Sequence, residues 1–130
     1  MTILDLAKEW LKYARSDYIT AKHMFDDVYP REIEISCYHA QQCAEKSLKA
    51  FLILREIDPP HIHDLVELCK ICTVHETSFS AMHQYCVSLT PYGVHVRYPN
   101  ELAVDDAIAK LAIDNAQIIY DFCAGKIPPE

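Results

Sequence analysis

Residues Ser36 to Leu65 read SCYHAQQCAEKSLKAFLILREIDPPHIHDL. Ala40, Cys43, Ala44 and Leu48 recur at the spacing of one helix face, which marks a helix rather than a strand. His39, Gln41, Gln42, Glu45, Lys46 and Lys49 are threaded between them. A helix that only supports a fold turns its amides and charges outward. Here they lie close beside small and apolar residues, so this helix borders an interface or a cleft. Pro59 and Pro60 cannot continue it, because proline lacks the amide N–H and clashes with the preceding turn. Asp64 then supplies an N-cap for the next helix.

Working outward, the pattern predicts an all-α protein of about five helices, three long and two short. The first runs over about Ile3–Val28. Ile3, Leu6, Trp10, Leu11, Tyr13, Ala14, Tyr18, Ala21 and Phe25 form a broad apolar stripe in it. Asp17 falls within that stripe and needs a partner or an interface, since an unpaired buried carboxylate is costly. Pro30 marks the turn. The second helix spans about Glu32–Arg55, and the third runs from Asp64 through about Val74. A fourth, about Phe79–Leu89, is closed by Pro91 and Gly93. The fifth, about Leu102–Ala124, carries Ala107, Ile108, Leu111, Ala112, Asn115, Ile118, Ile119 and Phe122, with Gly125 as its stop. Short connections between such helices give an antiparallel up-and-down bundle. The apolar stripes are wide enough to face more than one neighbour.

The chain of 130 residues is enough for one core, so residues 1–130 are read as a single domain. Two glycines in the whole chain argue against a turn-rich β fold. A net charge of −7 opposes general nucleic-acid binding, although a local basic patch could still hold RNA. No apolar run is long enough for a membrane span, and the acidic N-terminus is no secretory signal. The expectation is a cytoplasmic protein whose six cysteines are reduced thiols. Cys69 and Cys72 have zinc-ligand spacing, but no second cysteine pair completes a tetrahedral set, so they are read as core positions. Neither a metal nor a cofactor is called for.

Three groups remain as candidate chemistry. His39, Gln42, Lys46 and Lys49 share one helix face. That face is either solvated, with Glu45 and Lys49 paired one turn apart, or the floor of a polar cleft with Lys46 offered to a phosphate. His63 either lines a pocket or bonds the second helix. Arg97 and Tyr98 sit on a loop fixed by Pro99, where a guanidinium can hold a phosphate in bidentate fashion or pair with a bundle acid such as Asp17.

Trp10–Ala21 (WLKYARSDYITA), Tyr38–Leu52 (YHAQQCAEKSLKAFL), Pro59–Leu65 (PPHIHDL) and Val96–Asn100 (VRYPN) together resemble the HEPN domain (higher eukaryotes and prokaryotes nucleotide-binding). The four pieces occur in the family's order and spacing across most of the chain. The resemblance implies a helical bundle and a homodimer packed through long helices. In proteins of this minimal size it also implies a small nucleotidyltransferase as partner, in a toxin–antitoxin-like module. A nucleotide would then lie near Lys46, His63, Arg97 and Tyr98, with His39 and Gln42 beside it. Tyr98 or Tyr92 would be the side chain open to nucleotidylation. The nuclease members use an Arg-x4–6-His motif near the last helix, where His moves a proton and Arg stabilises the phosphorane. No histidine follows Arg97 here. His95 precedes Arg97, and the one Arg-x5-His, Arg55 to His61, ends the second helix, which is the wrong place. The expectation is a non-catalytic binding subunit. The alternative is a metal-independent ribonuclease with a variant site at His95 and Arg97.

Overall fold

The computed structural model describes residues 1–93 and 104–129. The chain forms α1 (Ile3–Asp26), α2 (Ile33–Leu54), α3 (Leu65–His75), a 3-10 turn (Thr77–Met82), α4 (His83–Leu89), a second 3-10 turn (Thr90–Gly93) and α5 (Asp106–Ala124). There is no strand among the described residues.

Each helix start carries its chemical reason. Thr2 and Asp5 cap α1 reciprocally, each side chain accepting the other's backbone N–H at 3.0 Å. Asp64 accepts from the N–H groups of Val66 and Glu67, as its place before the third helix predicts. Asp105 accepts from Ile108 N at 2.8 Å, so α5 starts at Asp106 rather than near Leu102. The expected fourth helix from Phe79 is instead a tight 3-10 turn followed by the seven-residue α4. No side chain caps either the 3-10 turn or α4.

α2 ends one turn before the prolines. Glu56 turns left-handed at φ 60°, and the N–H groups of Glu56 and Ile57 bond back to Ile53 O and Leu52 O. This is the paired-carbonyl closure that usually takes glycine.

α2 is the central element, packed along α1, against α5 and against α3. The pairs Asp17–Lys46 and Ala7–Ala50 run in opposite senses along α1 and α2, so the two helices are antiparallel. Leu48, Phe51, Leu52, Leu65, Leu68, Phe79, Leu89 and Ile119 fill the main core. Phe79 stands between Phe51 and Phe122, with ring centroids 4.4 and 4.9 Å away. All six cysteines are buried thiols outside any disulfide. Cys72 Sγ points at Leu48 O and Cys69 Sγ at Phe79 O, so both are core positions. Burial pushes the thiols of Cys43 and Cys72 up to about 12.

Two expectations change. The α1 stripe is wider than the core covers, since Ile3, Leu6 and Tyr13 are exposed. On α5, Leu111 and Ile118 also face outward, and Ala109, Ile113 and Ala116 take the inward places.

Replacing Phe79 with Ala removes the ring at the centre of this stack. The expected loss is about 3–5 kcal/mol of unfolding free energy, read from urea denaturation.

Candidate functional site

α2 is buried on almost every side, so its polar residues must find partners inside the fold. They do so around two carboxylates. Asp17 of α1 is 8% exposed and takes His39 Nδ1 at 2.8 Å on one oxygen and Lys46 Nζ at 2.6 Å on the other. Burial works to raise its pKa, but the hydrogen bonds from His39 and Lys46 outweigh it and hold the carboxyl below its ordinary value. The partner that the sequence demanded for Asp17 is thus supplied by α2.

Glu45 is the second carboxylate, only 4% exposed. Its Oε1 meets His63 Nδ1 at 2.8 Å and its Oε2 accepts from Lys49 Nζ at 3.2 Å. Of the two alternatives for this face, the solvated Glu45–Lys49 surface pair does not describe the pair as it is buried here. The one-turn spacing forms the pair, but the pair lies inside the fold, with Lys49 only 7% exposed.

Gln41 and Gln42 tie in alongside. Gln42 donates to Gln41 Oε1 at 2.7 Å, and Gln41 donates to the backbone carbonyl of His63 at 2.9 Å. The second 3-10 turn closes against this amide. A Cβ on Gly93 would lie 2.9 Å from Gln41 Nε2, so any larger residue there would displace the Gln41 amide. This role for Gly93 escaped the sequence reading, and the scarcity of glycine in the chain was the signal available.

His39, Gln42 and Lys46 are half-buried along one face of α2, as their spacing predicts. His63 bonds the second helix and also reaches solvent, its side chain 70% exposed. Each imidazole engages a carboxylate through Nδ1, which leaves Nε2 for another group. Both His39 and Lys46 reach their carboxylate with the acceptor already in place, so the face is preorganised. Tyr92 is half-buried, and burial raises its phenol. His95, Arg97 and Tyr98 lie outside the described residues. Among the described residues no group of three His, Cys, Asp or Glu side chains is arranged to hold a metal ion.

Because the folded Asp17 carboxyl titrates below its unfolded value, its contribution is present above the unfolded pKa of about 3.9 and is lost as pH falls through the folded pKa. Asp17→Asn should cost about 1–3 kcal/mol at pH near 7, the scale of hydrogen bonds to charged groups. The gap from wild type should shrink as pH drops below about 4, measured by urea midpoints across pH.

The family model of the HEPN domain matches residues 7–127. TT1696 from Thermus thermophilus superposes with a TM-score of 0.77 at 24% identity, covering 92% of this chain and 97% of that one. ST0689, an archaeal HEPN homologue, gives 0.74 at 23% identity, covering 94% and 98%. Both likenesses speak for the fold. No curated protein matches the sequence. With the family model spanning nearly the whole bundle, the chain belongs to the HEPN domain family.

Proposed function

We propose that the chain is a non-catalytic HEPN subunit that forms a homodimer and binds a small nucleotidyltransferase in a toxin–antitoxin-like module. A nucleotide is held at the half-open polar face of α2. The observation that carries this reading is the composition of the chain's last third. α5 contains neither arginine nor histidine, and no histidine follows Arg97, so the family's nuclease pair is missing from its place.

The geometry around α2 supports a binding role. His39 and Lys46 are fixed by Asp17 before any ligand arrives, which lowers the ordering cost of a contact. Gln42, beside them, offers an amide whose orientation Gln41 sets. His63 presents the more exposed imidazole. The family resemblance adds Arg97 and Tyr98 to the nucleotide contacts.

The dimer reading draws on α5. Ala107, Leu111, Asp114 and Ile118 recur at helical spacing, and all four are exposed. Leu111 and Ile118 form an outward apolar stripe of the kind that a second helix covers.

Mixed RNA incubated with the purified protein in EDTA should remain uncleaved, with no difference from a His95→Ala/Arg97→Ala double variant. Co-expression with a nucleotidyltransferase from the same genome should give one complex by size exclusion with light scattering. Cleavage by wild type and not by the variant would instead establish a metal-independent ribonuclease at His95 and Arg97. Failure of the two proteins to associate at micromolar concentration would remove the partner.

A further inference from the structure

A second site lies apart from the Asp17 cluster and stands independently of the partner reading. The start of α1, the end of α2 and the segment after it line a cavity of ≈ 550 Å³, a size typical of small-molecule sites. Ile3, Leu6 and Trp10 of α1 form one wall, spaced along two helical turns. Lys49, Ile53 and Glu56 form the facing wall. The Ile57–His61 segment, with Asp58 and the proline pair, makes the third.

The antiparallel register fixes which groups face one another. Trp10 lies toward Lys49, and Ile3 lies toward Glu56. Lys49 and Glu56 are seven residues apart, a separation of roughly 10 Å along the axis, the last step being the turn out of the helix. The two ends differ in chemistry. At the Lys49 end the side chain is 9% exposed, and Glu45 is its one ion-pair partner among the described residues. An ammonium has three N–H donors and Glu45 takes one, so Lys49 retains donor capacity for a further acceptor. Its charge is already balanced by Glu45, which favours a neutral oxygen there. At the other end Glu56 and Asp58 are exposed carboxylates on the lining, with no cation paired to either among the described residues. Apolar side chains lie between the two ends.

We propose that this trough binds a small elongated organic amine. Its ammonium sits between Glu56 and Asp58, its aromatic or aliphatic body lies against Leu6, Trp10 and Ile53, and an oxygen acceptor at its far end takes a hydrogen bond from Lys49. Three features select this class. The mouth is anionic and attracts a cation. The middle is apolar and gains from burial. The floor donates a hydrogen bond, so an oxygen there avoids leaving the Lys49 donors unanswered when water is displaced.

Trp10 is the chain's single tryptophan and lines the cavity, so its fluorescence reports on occupancy directly. Tyramine is the probe, with excitation at the red edge where phenols do not absorb. Phenethylamine lacks the oxygen, and 3-(4-hydroxyphenyl)propionate reverses the terminal charge. Tyramine should give a saturable change, phenethylamine a weaker one, and the propionate none in the same range. A Glu56→Gln/Asp58→Asn double variant, with both changes at exposed positions and circular dichroism confirming the fold, should bind tyramine about fivefold more weakly or worse. A flat tyramine titration, equal or tighter binding of the propionate, or unchanged affinity in the double variant would each overturn the proposal.

Discussion

The structure depends on how one buried helix answers its own charges. α2 lies between α1, α5 and α3, yet it carries His39, Gln41, Gln42, Glu45, Lys46 and Lys49 along its length. In a low-dielectric interior each of these groups costs free energy unless it is bonded. Asp17 from α1 and Glu45 from α2 itself meet that demand, each bonded to an imidazole and an ammonium. The first carboxylate therefore joins α1 to α2. The second joins α2 to the segment that leads into α3.

These contacts also set the register of the bundle. An apolar surface between two helices tolerates sliding, because one methyl replaces another at small cost. An ion pair with a neighbouring imidazole does not, since a shift of one turn would leave a buried charge unpaired. Gly93 adds a second constraint, with the turn after α4 brought within reach of the Gln41 amide. The polar face of α2 is thus positioned from three sides.

Much of this was legible from particular residues. The proline pair predicted the end of α2, Asp64 the start of α3, and Asp17 its own need for a partner. Cys69 and Cys72 read as core residues on the strength of the missing second pair, and they are. What the sequence could not supply was which neighbour covers which face. Glu45 and Lys49 have the spacing of a surface pair, and only the packing of distant segments over them makes the pair internal. Ile3, Leu6, Leu111 and Ile118 have the periodicity of core residues but lie beyond the reach of their own bundle. The 3-10 turn over Thr77–Met82 left no periodic signal. His39, Gln42 and Lys46 share one half-buried face of α2, as helix spacing requires. The partners holding two of them arise from contacts 22 and 29 residues apart in sequence, which local pattern cannot reveal.

The central claim is that Asp17 and Lys46 act as a coupled pair across α1 and α2. A double-mutant cycle of Asp17→Asn and Lys46→Met, followed by urea denaturation near neutral pH, tests it most directly. The account predicts a coupling free energy of about 1–3 kcal/mol, with the double variant losing less than the sum of the single losses. Strictly additive losses would contradict it, for they would mean that the two side chains contribute independently and that the buried helix is held by packing alone.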